Sequence, residues 1–264
     1  MPAAQREGLE LVYDIQGDGP DLLLIAGTAA DRTMWTQVRP KLSEYFRTIA
    51  FDNRDSGEST ICNDSYVMLD LAKDAVAVLD AAGAERAHVM GHSLGGMITQ
   101  ELALLAPERI ASLTLANTTS RLDGYGNAVI SMALGWAQVI EDPALLLKSL
   151  YFLALGTDTL RTTSLDRIVE GLLSSGPGQP REALVRQWQL DLTVNIFDRL
   201  PLIDAPTHVI WGAQDKILPE DLQRDLVNNI RGAQFTRIEH AGHSPMIETP
   251  DEFLRAATDF LLRL

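Results

Sequence analysis

At 264 residues the chain has room for one large domain or two small ones, and its 46% hydrophobic and 22% charged residues are ordinary for a globular protein. Its 36 acidic against 22 basic residues leave a net charge of −14, which repels nucleic-acid backbones and anionic membranes, so neither is an expected partner. The single cysteine, Cys62, excludes an intrachain disulfide and fits a reducing, cytoplasmic location.

The first 18 residues lack a basic start followed by an apolar core, so a secretory signal is not expected. Residues 9–15 alternate apolar and polar side chains, as a half-buried strand does. The turn cluster Gln16-Gly17-Asp18-Gly19-Pro20 follows, and then the apolar run 22–26, suited to a strand buried on both faces. Residues 34–45 have helical character interrupted at Pro40, and 46–51 form another strand. A polar loop, Asp52-Asn53-Arg54-Asp55-Ser56-Gly57-Glu58-Ser59, comes next. Leu71, Ala75, Val78 and Leu79 are spaced for a helix over 68–82, with Gly83 as its stop. A strand at 87–90, a helix at 94–106 closed by Pro107, and a strand at 110–116 complete an alternation typical of a parallel sheet.

The alternation breaks at Asn117. Helical stretches at 128–140, 143–155, 163–173 and 181–192 follow without a convincing strand. A Gly/Pro/Ser cluster at 174–180 separates the last two, and Lys148 interrupts 143–155, which is too short to span a bilayer. Met132, Leu134, Trp136, Leu146, Leu150, Tyr151, Phe152 and Trp188 are expected mostly to pack this insertion onto itself. Strand and helix then alternate again at 207–211, 219–230, 235–238 and 250–262. The expected fold is α/β: a mainly parallel central sheet with helices on both faces. Residues 1–117 and 201–264 form its core and 118–200 an all-helical insertion.

The residue types that carry chemistry sit at strand ends. Gly91-His92-Ser93-Leu94-Gly95 reads as strand, sharp turn and helix, with a serine at the apex. A serine hydroxyl needs an adjacent base, and the base needs an acid to fix its tautomer. Trp211-Gly212-Ala213-Gln214-Asp215 and His240-Ala241-Gly242-His243-Ser244-Pro245 each follow a strand and supply candidates, in the order Ser, Asp, His. In a parallel sheet these loops share the edge where ligands collect. Bland readings compete: Ser93 as a turn serine, Asp215 as a helix cap before Pro219, His240 in place of His243. Asn117 cannot supply a charge, which favours Asp215 as the acid. His240 and His243 have no third ligand at metal-like spacing, so no metal is expected. His88 and His208 lie in strand patterns, and Arg54 reads as a loop tie.

Together, residues 91–96, the 52–59 loop, 211–215 and 241–245 resemble the α/β-hydrolase superfamily over essentially the whole chain. The resemblance implies Ser93 as nucleophile, His243 as general base then acid, Asp215 as the orienting carboxylate, and 118–200 as a cap domain over the site. It implies an oxyanion hole from the backbone N–H groups of Leu94 and Thr28. The family usually has His-Gly before that second donor, whereas this chain has Ala26-Gly27-Thr28. Gly27 and His92 are the expected neighbours of substrate.

Within the superfamily the chain is similar to small bacterial carboxylesterases and enol-lactone hydrolases, and its 52–59 loop resembles that of polyketide methylesterases. The implied activity is a serine hydrolase that cleaves a carboxylic ester or lactone of a hydrophobic small molecule through an acyl-enzyme. No cofactor is implied, and a monomer or homodimer is expected. The alternatives are a C–C bond hydrolase or lyase with the same triad, and a non-catalytic small-molecule receptor. Serine at 93 departs from the aspartate of haloalkane dehalogenases and epoxide hydrolases.

Overall fold

The inner strands β3 (Asp21–Ile25), β4 (Arg47–Phe51), β5 (Ala87–His92), β6 (Ile110–Ala116) and β7 (Thr207–Gly212) are short apolar runs, buried nearly throughout in a computed structural model of the chain. The structure describes residues 1–174, 176 and 178–264, so Ser175 and Pro177 of the expected Gly/Pro/Ser cluster lie outside the described residues. Among these residues the sheet has eight strands, in the order β1-β2-β4-β3-β5-β6-β7-β8, with β1 (Ala3–Arg6), β2 (Leu9–Gln16) and β8 (Gln234–Ile238) completing it. From β4 to β8 every pairing is parallel; β1 and β2 join antiparallel at one edge.

Side chains alternate across each strand, and that alternation divides the core. Leu23, Ile25, Val89, Leu113 and Val209 point to one face, where they meet helices α2 (Met68–Ala81) and α3 (Leu94–Leu105). Leu22, Leu24, Met90 and Ile210 point to the other, against Trp35 and the Phe253 and Phe260 side chains of the final helix, α11 (Pro250–Leu261). Both faces are covered, as parallel strands require.

Between β6 and β7 the chain forms helices α4 (Gly124–Val139), α5 (Pro143–Ala154), α6 (Thr157–Thr162), α7 (Leu165–Ser174) and α8 (Arg181–Asp191). α4, α5 and α8 share an apolar cluster, including Ile130, Leu146, Leu150, Leu184 and Trp188, which also takes in Ile217, Leu218 and Leu222 from the chain after β7. Met132 and Phe152 depart from the expected inward set: they are 42% and 55% exposed. No helix among the described residues is long and apolar enough to cross a membrane.

Other differences have local causes. The expected helix at 34–45 is a 3-10 turn at Arg32–Trp35 and a single turn, α1 (Arg39–Leu42), because Pro40 enters as a helix start and has no N–H to continue one. The stretch 163–173 begins later than expected, since Thr163 is extended and separates α6 from α7. Strand β1 has no apolar alternation; it forms because β2 offers a pairing edge. Helix α9 (Glu220–Asn229) matches expectation, whereas α10 (Pro245–Glu248) is a single unforeseen turn after the histidine loop.

Candidate active site

Ser93 directly follows β5 and caps α3 with φ +53° and ψ −119°. A non-glycine residue held at such a φ costs on the order of 1–3 kcal/mol, so the surroundings must enforce it. They do: Ser93 N donates to the Ala116 carbonyl at 3.0 Å, and the Ser93 carbonyl accepts from Gly96 N, Met97 N and Thr118 Oγ1 at 2.9, 3.1 and 2.7 Å. A Cβ on Gly91 would run into the Gly95 carbonyl, and one on Gly95 into the Ile25 carbonyl. The two glycines therefore let strand, helix and the end of β3 close around the serine.

Asp215 follows β7 and its side chain is fully buried. Its Oδ2 accepts from His243 Nδ1 and from Asn117 Nδ2, both at 2.8 Å, and its Oδ1 from Ile217 N and Leu218 N at 2.8 and 3.1 Å. Burial alone would raise its pKa. The His243 charge and the bonds from His243, Asn117 and Ile217 outweigh burial, so the carboxyl titrates below its ordinary range. A carboxylate can only accept, so His243 carries its proton on Nδ1 and leaves Nε2 free to act as a base. Of the competing readings of Asp215 as a turn or helix-cap residue, the turn one holds for a single oxygen, which closes the turn at Ile217 and Leu218 while the other holds the histidine; the N-cap of α9 is Pro219.

His243 lies in the loop after β8. Its N–H donates to the Ala154 carbonyl at 2.7 Å, and Glu248 of α10 accepts from Gly242 N and Ser244 N at 2.9 and 3.2 Å. His92 packs edge-on beneath it, ring centroids 4.8 Å apart, and donates Nε2–H to the His243 carbonyl at 2.7 Å. Burial, then the neighbouring His243 charge, pushes the His92 pKa down to about 3, so His92 is a neutral prop. His240 turns away to Asp158, Nδ1 to Oδ2 at 2.8 Å, and is largely exposed. The two histidines therefore bond different carboxylates, Asp158 and Asp215. His88 and His208 bond Ser112 and Thr236 across neighbouring strands.

Thr28, His92, Ser93 and His243 share the wall of a cavity of about 670 Å³. The helices after β6 also line it, with Leu150, Leu153, Ile168 and Trp188. Gly27 is buried against the serine: a Cβ there would stand 2.9 Å from His92 Nδ1 and 3.0 Å from Ser93 Cβ. It contributes close packing rather than a side chain in the cavity. Among the described residues no hydrogen bond engages the Ser93 hydroxyl, the Leu94 N–H or the Thr28 N–H. In free enzymes the nucleophile–base bond is often loose and tightens with substrate.

In the 52–59 loop, Arg54 binds Asp74 of α2 through Nε and Nη2 at 2.6 and 2.7 Å, a structural tie as expected. Asp52 pairs with Arg32, and Gly57 turns the chain at φ +52°. Sequence reasoning missed Asn117 as a donor to Asp215, Glu248 beneath the histidine loop, and two buried polar residues of α8, Gln187 and Asp191. The last two were detectable: they stand four residues apart on a helix face that otherwise carries Ala183, Leu184 and Trp188.

A family model described as alpha/beta hydrolase fold matches residues 20–250. The chain belongs to the α/β-hydrolase family. Among its relatives in the family, one named as a putative carbamate hydrolase, RutD, from Azorhizobium caulinodans is 29% identical over 259 residues, covering 96% of this chain and 95% of the other. A pyrrolizixenacetamide deacetylase from Xenorhabdus hominickii is 28% identical over 256 residues, covering 96% and 95%. The solved enol-lactonase of Burkholderia xenovorans LB400 superposes with a TM-score of 0.88 at 25% identity, covering 99% of this chain and 100% of that one.

Proposed function

We propose that the protein is a serine hydrolase that cleaves a carboxylic ester or lactone of a hydrophobic small molecule, with residues 118–200 as the cap over its site. Ser93 Oγ attacks the carbonyl carbon while His243 Nε2 takes its proton. Asp215 stays ionised and stabilises the imidazolium that forms. The Leu94 and Thr28 N–H groups receive the oxyanion, a task worth about 2.7–4 kcal/mol per donor. His243 then protonates the leaving oxygen, and a water deprotonated by His243 releases the acid from Ser93.

The observation that carries this reading is the 2.8 Å Asp215–His243 bond, with His243 and Ser93 lining one cavity together with apolar side chains such as Leu150, Leu153 and Ile168. The enol-lactonase supports a lactone or ester. The relatives named as a carbamate hydrolase and a deacetylase extend the acyl group to amide-type substrates, which the same chemistry can serve.

The test is covalent labelling by a fluorophosphonate followed by a screen of aryl esters, lactones, anilides and vinylogous diketones. Wild-type protein should label at Ser93 and turn over esters or lactones. Ser93→Ala should do neither while remaining folded. An unreactive wild-type Ser93 would sink the hydrolase reading in favour of a receptor, and turnover confined to vinylogous diketones would favour C–C hydrolysis.

A further inference from the structure

Asp191 is 2% exposed at the end of α8, and its Oδ2 accepts from Thr28 Oγ1 at 2.7 Å. One helical turn earlier, Gln187 is fully buried, and its Oε1 accepts from Ala29 N at 3.3 Å. Gln187 Nε2 donates to Ser56 Oγ and the Arg54 carbonyl at 3.0 and 3.3 Å. The two side chains lie on one helix face and grip consecutive residues of the loop after β3. That loop needs a grip: Ala29 has φ +62°, a left-handed conformation unfavourable to a residue with a Cβ.

Stability alone does not explain a carboxylate here. Asp191 Oδ1 is buried without a hydrogen bond among the described residues. A buried, half-satisfied carboxyl is costlier than an apolar side chain of the same volume. Burial pushes its pKa up to about 7, with the Thr28 bond and the His243 charge pulling the other way.

We infer that Asp191 is a positioning residue for the oxyanion loop: it holds Thr28 by its hydroxyl and thereby aims the Thr28 N–H at the carbonyl oxygen of the bound substrate. The inference rests on the proposed role of Thr28 as an oxyanion donor. It makes the helical insertion part of the catalytic apparatus and not only a cover.

The experiment is steady-state kinetics on the best ester substrate with Asp191→Ala, Asp191→Asn, Thr28→Val and Thr28→Ser. Thr28→Val keeps the N–H and removes the hydroxyl; Thr28→Ser keeps both. Asp191→Ala and Thr28→Val should each lower kcat by about 10–100-fold with KM within about 3-fold, as expected when a transition-state donor is misaimed. Asp191→Asn, which still accepts from Thr28, and Thr28→Ser should recover kcat to within a few-fold of wild type. The double variant Asp191→Ala/Thr28→Val should lose no more than either single one. Multiplying losses in the double variant, or a kcat in Asp191→Ala within about 2-fold of wild type, overturn the role of Asp191. If Asp191→Ala does not fold, equal kcat in Thr28→Val and Thr28→Ser overturns it instead. A wild-type Ser93 that no fluorophosphonate labels defeats the hydrolase reading itself; labelling with an unaltered Asp191→Ala defeats only this inference.

Discussion

Asn117 donates its Nδ2 to Asp215 Oδ2 at 2.8 Å, onto the same oxygen that receives His243 Nδ1. Asn117 directly follows β6 with φ +44° and is fully buried, and its Oδ1 accepts from Gly212 N at 3.3 Å. Its Nδ2 also reaches the Gly242 carbonyl at 3.2 Å, which ties the acid loop to the histidine loop. Replacing it by an acid of the same shape sets two carboxyl groups against each other. Asn117→Asp should raise the apparent pKa of the pair formed by the introduced carboxyl and Asp215 by about one unit or more. The acid limb of kcat/KM should therefore move to higher pH. A pH–rate profile identical to wild type would show that the contact carries no weight.

Gly27 offers a test of how closely the loop after β3, proposed to supply the Thr28 oxyanion donor, must approach the serine. A Cβ at this position would lie 2.9 Å from His92 Nδ1 and 3.0 Å from Ser93 Cβ. Neither neighbour can yield, since His92 is buried and Ser93 is in a strained turn. Gly27→Ala should displace Thr28 N–H and lower kcat by roughly 10–100-fold, with a smaller change in KM. A kcat per folded molecule equal to that of wild type would show that the loop does not need so close an approach.

Stability should respond to pH through Asp191 in a definite direction. Its folded pKa of about 7 lies above the ordinary Asp value, so the folded state holds a proton that the unfolded state releases. That contribution is complete below the unfolded pKa, falls as pH rises toward 7, and levels off above it, by up to about 1.4 kcal/mol per pH unit. His92 and His208 act in the opposite sense. Their folded pKa values, about 3 and about 4, lie below the ordinary imidazole value, so stability is lost as pH falls below about 6.5. Asp191→Asn should therefore gain stability relative to wild type at about pH 8 and gain less, or lose, at about pH 5. Urea midpoints at the two pH values measure this. A difference between the two proteins that does not depend on pH would refute it.

Arg54 and Asp74 are 6% and 0% exposed and share two hydrogen bonds. Arg6 adds a third bond to Asp74, at 2.9 Å. Arg54→Met leaves Asp74 buried with one cation where it had two. The loss should be on the order of 3 kcal/mol in urea unfolding, because a buried charge loses its best partner. The folded fraction should still label with a fluorophosphonate at a near-normal rate, as Arg54 is distant in role from the chemistry. A large drop in labelling rate per folded molecule would contradict the structural assignment.

Much was legible in the chain itself. Ser93, Asp215 and His243 follow strands whose apolar runs predict a parallel sheet, and parallel order brings the C-terminal ends of β5, β7 and β8 to one edge. Glycines at 91 and 95 predict the sharp turn, because only a missing Cβ permits that approach. These are local facts: period, breakers and residue type at a strand end.

Only tertiary structure decided the rest. Nothing in the sequence near Thr28 indicates that its hydroxyl meets Asp191, 163 positions later, or that Ala29 meets Gln187. The same holds for Asn117 and Asp215, for Glu248 beneath the histidine loop, and for the separation of His240 from His243 by their different carboxylate partners. Hydrophobic period determines which face of an element is buried. It carries no information about which polar atoms meet once two buried faces close, because that depends on the distances and angles created by the packing itself.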